Sequence, residues 1–161
     1  MVPDHDGLIL VGDVGGTNAR FAAFVHGGDP RAPVFERTLP SRSGASFLDV
    51  LRAIEPFVPG RVTAASFGVA GPVRDGVCRA TNLPWIVDSA DVARELGLAS
   101  VGLLNDLEAG AFGIDVLQPS DLVTLWAGTT VSDGPTALVS AGTGLGVAGT
   151  FVIDGRRRPF A

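Results

Sequence analysis

Apolar residues run from Leu8 to Val14, stop at Gly15-Gly16, and resume from Ala19 to Val25, which predicts two strands joined as a hairpin. Val34 to Leu39 predicts a third strand, so three strands precede any helix. Ser46 is placed to cap a helix reaching about Phe57. Phe47, Leu48, Leu51, Ile54 and Phe57 fall near helical spacing, and Pro56 and Pro59 end it. Val62 to Ala70 reads as a fourth strand, apolar enough to be buried on both faces. Beyond Gly71-Pro72, a short excursion from Val73 to Ala80 turns at Asp75-Gly76 and leads into Thr81-Asn82-Leu83-Pro84-Trp85. Ser89 is placed to cap a helix to Leu96, closed by Gly97. Val101 to Leu104 is a fifth strand, and Asn105-Asp106 stands where it stops and a helix starts. Leu122 to Trp126 and a turn-rich stretch over 127–135 then lead to a strand-glycine-strand unit from Ala137 to Ile153.

The two glycine-centred units echo each other. Leu10-Val11-Gly12-Asp13-Val14-Gly15-Gly16-Thr17-Asn18 and Leu138-Val139-Ser140-Ala141-Gly142-Thr143-Gly144-Leu145-Gly146 share one plan: apolar strand, glycine turn, second strand. Such a turn directs successive backbone N–H groups into one concavity, which suits phosphate oxygens without any side-chain cation. Two such turns, one from each half of the chain, would clamp the phosphate chain of a nucleotide. Neither is a dinucleotide fingerprint, because a strand rather than a helix follows the glycines.

Composition narrows the chemistry further. All 12 basic residues of the 161 are Arg, and neither Lys nor Tyr occurs. Schiff bases and a phosphate-loop lysine are therefore excluded. A single cysteine, Cys78, permits no internal disulfide and no thiolate zinc cage. His5 and His26 give a histidine-based triad or metal site little to build on. A net charge of −5 argues against nucleic acid, and Arg156-Arg157-Arg158 reads as a solvated turn. Asp4, His5 and Asp6 interrupt the start where a signal peptide needs an apolar core, so a reducing, cytoplasmic setting is expected. The uncharged run from Gly134 to Ile153 is long enough for a membrane span, but Pro135 and its glycines make it strand, loop, strand.

Three groups are candidates for chemistry, each with a structural alternative. Asp13, at a strand end beside Gly15, Gly16 and Thr17, fits a carboxylate holding hydrated magnesium while the turn's amides meet phosphate; a hairpin turn that uses Asp13 for one backbone bond fits equally. Asp106, with Asn105 to orient a hydroxyl, occupies the position where α/β sheets present a general base, which is also where a helix cap belongs. Thr81-Asn82 and Trp85 suit a polyol site or a plain loop with a packed tryptophan, and Arg20 suits a phosphate or a neighbouring acid.

These blocks resemble the bacterial ATP-dependent glucokinases of the actin, Hsp70 and sugar-kinase superfamily. The resemblance rests on Leu10 to Arg20, Gly68-Val69-Ala70-Gly71-Pro72-Val73, Ala80 to Trp85, Leu104-Asn105-Asp106-Leu107-Glu108-Ala109, and Ser140 to Ala148, in the family's order and spacing. It implies an α/β, actin-like ATPase (ribonuclease H-like) domain with a mixed five-stranded sheet over 1–110, lacking its return helix. The start of a second domain of the same type follows over 111–161. It further implies a first ATP-phosphate loop at Gly12, Asp13, Val14, Gly15, Gly16 and Thr17, with Asp13 near Mg²⁺, and a second at Ala141, Gly142, Thr143 and Gly144. Asn82, Asn105 and Asp106 become sugar ligands, with Asp106 as the base for the 6-hydroxyl of glucose.

In this family a Glu-Gly-Gly-His block follows the segment equivalent to Arg156, Pro159 and Phe160, and the chain stops at Ala161, short of it. The expectation is therefore the N-terminal part of a glucokinase, with glucose and ATP as partners, neither nucleic acid nor membrane, and a homodimer left open. A non-catalytic sugar-sensing module and a polyphosphate hydrolase of the same fold are the competing classes.

Overall fold

The computed structural model describes residues 7–129, 131, 134–141 and 145–161. The chain divides into two compact units between Asp106 and Leu107. The first is built on a mixed five-stranded sheet whose strands lie, from edge to edge, in the order 35–40, 18–25, 8–14, 62–69 and 102–105. Strands β1 (Leu8–Val14), β2 (Asn18–Val25) and β3 (Phe35–Pro40) form an antiparallel meander, while β4 (Val62–Val69) and β8 (Gly102–Asn105) extend β1 in parallel. The predicted five strands and the glycine hairpin are thus present, and the parallel pairs follow from helical crossovers.

Residue alternation sets which face is covered. Leu8, Leu10 and Val14, Ala19, Phe21 and Ala23, and Ala65, Phe67 and Val69 are buried on one face. Helices α1 (Phe47–Ile54) and α2 (Ser89–Leu96) contribute Phe47, Val50, Leu51, Ile54 and Val92 to the same core. Phe47 is central, its ring 5.1 Å from Phe67, 6.3 Å from Phe21 and 6.4 Å from Trp85. The opposite face is only half-buried along Ala64 and Ser66 of β4, so the expectation of burial on both faces fails there: those side chains alternate away from the aromatic cluster, while Val62, opposite Leu8 before a register shift, packs against the core.

Gly12 has a packing role in mid-strand. It pairs with Phe21 and Phe67, and a Cβ there would stand 2.7 Å from the Phe67 ring and 3.2 Å from that of Phe21.

The ends of the helices show where local signals compete. Ser46 caps α1 as predicted, in a capping box with Asp49. The α-helix stops at Ile54, however, and Glu55–Phe57 tightens into a 3₁₀ turn with Pro56 inside it. Proline has no N–H to continue the ladder, and the tighter winding carries Phe57 out of the core, to 56% exposure under the Arg37 guanidinium. At α2 the cap is Asp88 rather than Ser89: the Asp88 carboxylate accepts the Ala90 N–H at 2.8 Å. Asp88 ends a strand that hydropathy did not reveal, β7 (Ile86–Asp88), which pairs with β6 (Val77–Arg79) and through it with β5 (Val73–Arg74). Asp88→Ala is expected to cost about 1 kcal/mol and Ser89→Ala clearly less, measured by urea denaturation.

The second unit carries most of α3 (Asp106–Gly113) and a three-stranded antiparallel sheet of β9 (Thr136–Ala141), β10 (Leu145–Ile153) and β11 (Arg156–Phe160). The arginine run is not a solvated turn. The turn is Asp154-Gly155, both at positive φ, and the arginines lie in β11, with Arg157 bonded to Asp115 at 2.7 Å and to Thr136 at 3.0 Å.

Candidate functional site

Three adjacent parallel strands finish in one row. Val14 is in register with Val69, and Val69 with Asn105, so the segments leaving β1, β4 and β8 emerge at the same edge of the sheet. Strands spaced about 4.8 Å apart put the ends of β1 and β8 about 10 Å from each other. Carboxyl ends of parallel strands are where α/β sheets offer functional groups to a crevice.

The turn after β1 is Gly15, Gly16 and Thr17. The Gly15 N–H donates to the Asn18 carbonyl at 3.0 Å and closes it. Its outward carbonyls are held by Ser41, whose hydroxyl donates to Gly15 at 2.6 Å and whose N–H donates to Thr17 at 2.8 Å. Among the described residues the N–H groups of Gly16 and Thr17 meet no acceptor. The turn therefore has its acceptors occupied and two donors available, as an anion site requires.

The turn after β4 connects the others. The Ala70 N–H donates to the Val14 carbonyl at 3.0 Å, and the Ala70 carbonyl accepts the Thr81 N–H at 2.9 Å. That link brings Asn82 against the first turn: a Cβ on Gly16 would lie 2.8 Å from Asn82 Cβ and 3.6 Å from its amide nitrogen. On the other side, the Asn105 amide donates to the Gly71 carbonyl at 3.0 Å. Gly71 is required by close approach, since a Cβ there would run into the Arg79 carbonyl and the Cys78 sulfur. Asn82 is exposed, and Asn105 and Asp106 are half-buried. Trp85, at 3% exposure, belongs to the core and not to a sugar site. Val14 is buried too, so only its backbone can face a ligand.

Asp13 links the turn to Asp106 electrostatically. Solvent reaches its side chain, yet the surrounding protein strips part of its hydration, and this loss pushes its carboxyl above the ordinary range. Arg20, its cross-strand partner in register, opposes the shift, and the Asp106 charge adds to it. A carboxylate whose charged form is disfavoured by lost hydration and by a neighbouring acid is a place where an added cation is favourable. Among the described residues no three His, Cys, Asp or Glu side chains gather into a metal cluster. That donor set suits an ion held by one carboxylate together with phosphate and water. Cys78 is buried beneath the same edge, and burial followed by the Asp106 charge pushes its thiol up, which keeps it unreactive.

Of the second loop only Ala141 is described, exposed at the end of β9; Gly142, Thr143 and Gly144 lie outside the described residues. A cavity of about 520 Å³ lies at the other end of the sheet, among Leu10, Glu55, Val58, Arg61, Leu96 and Leu98, and touches none of the predicted site residues. Among the described residues no helix is long and apolar enough to cross a membrane.

The mixed sheet, with its glycine hairpin and aspartate-bearing strand end, defines the class: the actin-like α/β fold of the sugar kinases. Within that class the chain belongs to the glucokinase family, whose family model matches residues 10–161. It is 34% identical over 145 residues to a glucokinase of Trichormus variabilis, covering 86% of this chain and 42% of that one. With a glucokinase of Stenotrophomonas maltophilia the identity is 36% over 159 residues, covering 94% and 47%. The crystal structure of a glucokinase from an Antarctic psychrotroph matches with a TM-score of 0.82 at 28% identity, over 96% of this chain and 49% of that one. The chain spans less than half the length of these relatives.

Proposed function

We propose that this chain carries the first phosphate turn and the sugar base of an ATP-dependent glucokinase, which passes the γ-phosphoryl group of ATP to the 6-hydroxyl of glucose. The observation that carries the reading is the convergence at one sheet edge of a turn with two unpartnered N–H donors, Asn82 packed on that turn, and Asp106 near enough for its charge to act on Asp13. On this reading the Gly16 and Thr17 amides meet phosphate oxygens, and Asn82 and Asn105 hold the sugar. Asp106 accepts the proton of the 6-hydroxyl as its oxygen bonds to phosphorus and the bond to ADP breaks. Asp13 would hold Mg²⁺, which when bound with the nucleotide offsets charge on its phosphates. The first unit then corresponds to the small domain, and the second unit to the opening of the large one. Phosphoryl transfer draws mostly on positioning and electrostatics, which is what these backbone-anchored groups supply.

The test is a coupled assay on a polypeptide of the relatives' length that contains this span. Glucose 6-phosphate formed from glucose and MgATP is the expected product. Glucose binding without transfer would make the chain part of a sugar sensor, and phosphate release from polyphosphate without sugar would make it part of a hydrolase. Either result overturns the reading.

Asp13 also gives a pH-dependent expectation. A carboxyl whose folded value is raised binds protons more tightly folded than unfolded, so its contribution to stability falls as pH rises through that range and is unfavourable at neutral pH. Asp13→Asn is therefore expected to raise the melting temperature at pH 7 in EDTA, with the gain vanishing in acid, while removing any Mg²⁺ dependence of phosphate binding. Calorimetry at both pH values checks this.

A further inference from the structure

We propose that Ser41 is a positioning residue that fixes the direction in which the first glycine turn presents its N–H groups. Ser41 is fully buried, at 0% exposure, and follows β3, which ends at Pro40. The β2–β3 ladder reaches its last pair at Asn18 and Pro40, where proline has no N–H to donate. Ser41 supplies the next donor, its N–H to the Thr17 carbonyl at 2.8 Å, and then its hydroxyl to the Gly15 carbonyl at 2.6 Å.

These two bonds decide the turn's geometry. In a trans peptide the C=O and N–H point to opposite sides, so anchoring the Gly15 carbonyl on Ser41 aims the Gly16 N–H away from it. Anchoring the Thr17 carbonyl fixes the following peptide in the same way. The Gly16–Thr17 peptide is then held between two fixed planes, and Asn82 packed on Gly16 limits its swing from the other side. Two consecutive glycines have more backbone freedom than any other pair, so without an outside anchor their donors would not converge. A hydroxyl sealed from water must also keep its acceptor, which makes Ser41 a strict constraint rather than a loose contact.

This inference rests on the reading of Gly15 to Thr17 as a phosphate turn, and the test separates the two. It compares the 161-residue chain with Ser41→Ala, with Ser41→Cys, which keeps the size but donates weakly, and with Val50→Ala, which weakens the core through α1. Backbone ¹⁵N relaxation reports the order of Gly16 and Thr17, and titration with inorganic tripolyphosphate reports affinity. For Ser41→Ala the order parameters at Gly16 and Thr17 are expected to drop from the rigid range to below about 0.6. The tripolyphosphate dissociation constant should rise about tenfold, the equivalent of one anchoring bond lost. Ser41→Cys should fold and move both readouts part of the way, whereas Val50→Ala should lower the melting temperature and move neither. Unchanged order and affinity in Ser41→Ala and Ser41→Cys, or an equal change in Val50→Ala, overturns the role of Ser41 alone. An unsubstituted chain that ignores tripolyphosphate overturns the phosphate reading, and with it the purpose assigned to Ser41.

Discussion

Asp106→Asn is expected to lower turnover of glucose by about a hundredfold to ten-thousandfold, the range over which a positioned base acts. The assay uses a polypeptide of the relatives' length, because this span alone covers less than half of them. An asparagine has the size of aspartate but cannot accept the hydroxyl proton. The half-buried position makes a folding defect a poor explanation for the loss, and an unchanged melting temperature would confirm that. The substitution carries a second signature. The Asp106 charge contributes to the raised values of both Asp13 and Cys78, so in the variant both groups should titrate lower. Full turnover in the Asn variant would remove the base assignment, and an unshifted Asp13 would place the two carboxylates out of each other's reach.

The largest structural effect is expected at Phe47. Its ring closes the cluster of Phe21, Phe67 and Trp85 over the sheet, and it is 1% exposed. Phe47→Ala is expected to cost about 3–5 kcal/mol, since a cavity this size between two elements cannot collapse without moving α1. In a unit of this size each kcal/mol lowers the melting temperature by about 4–8 °C, so the first unit should melt about 12–40 °C lower. Phe57→Ala is the matched comparison. It removes the same ring from a site 56% exposed, where the Arg37 guanidinium lies over it, and should cost about 1 kcal/mol or less. Denaturant titration followed by tryptophan fluorescence separates the two, because Trp85 touches Phe47.

The contrast between Phe47 and Phe57 shows what hydropathy conveys. Helical spacing assigned both to one face, and it was right as long as the winding stayed α-helical; Pro56 changes the winding within one residue of Phe57. The turns were the most legible parts of the chain, because Asp-Gly and Gly-Gly carry their backbone preferences with them. The same Asp-Gly logic that placed the turn at Asp75-Gly76 applies to Asp154-Gly155, and it would have shown the arginine run to be a strand. Strand β7 was hidden by its length of three residues, too short for an alternation to register.

At the candidate site, Asp13, Asn82 and Asp106 are candidates the sequence offers one by one, through motif and family likeness, but not as a constellation. Asn82 meets Gly16 through a contact between positions 66 residues apart, and only the row formed by Val14, Val69 and Asn105 brings them to one edge. Ser41 left no local signal at all. Its partners Gly15 and Thr17 lie more than twenty residues upstream, and a serine after a proline in a turn reads as an ordinary surface residue. The structure reads it as the opposite, sealed from solvent with both donors engaged.

The most direct measurement is a ¹H–¹⁵N titration of the 161-residue chain, first with glucose and then with tripolyphosphate and Mg²⁺. The account predicts that glucose shifts the amides of Asn82, Asn105 and Asp106, and that tripolyphosphate shifts Gly15, Gly16 and Thr17. Saturation with one ligand should also alter the response to the other at Gly16 and Asn82, where the two groups of residues touch. Shifts confined to the cavity around Leu10, Arg61 and Leu98, with the sheet edge silent, would contradict it.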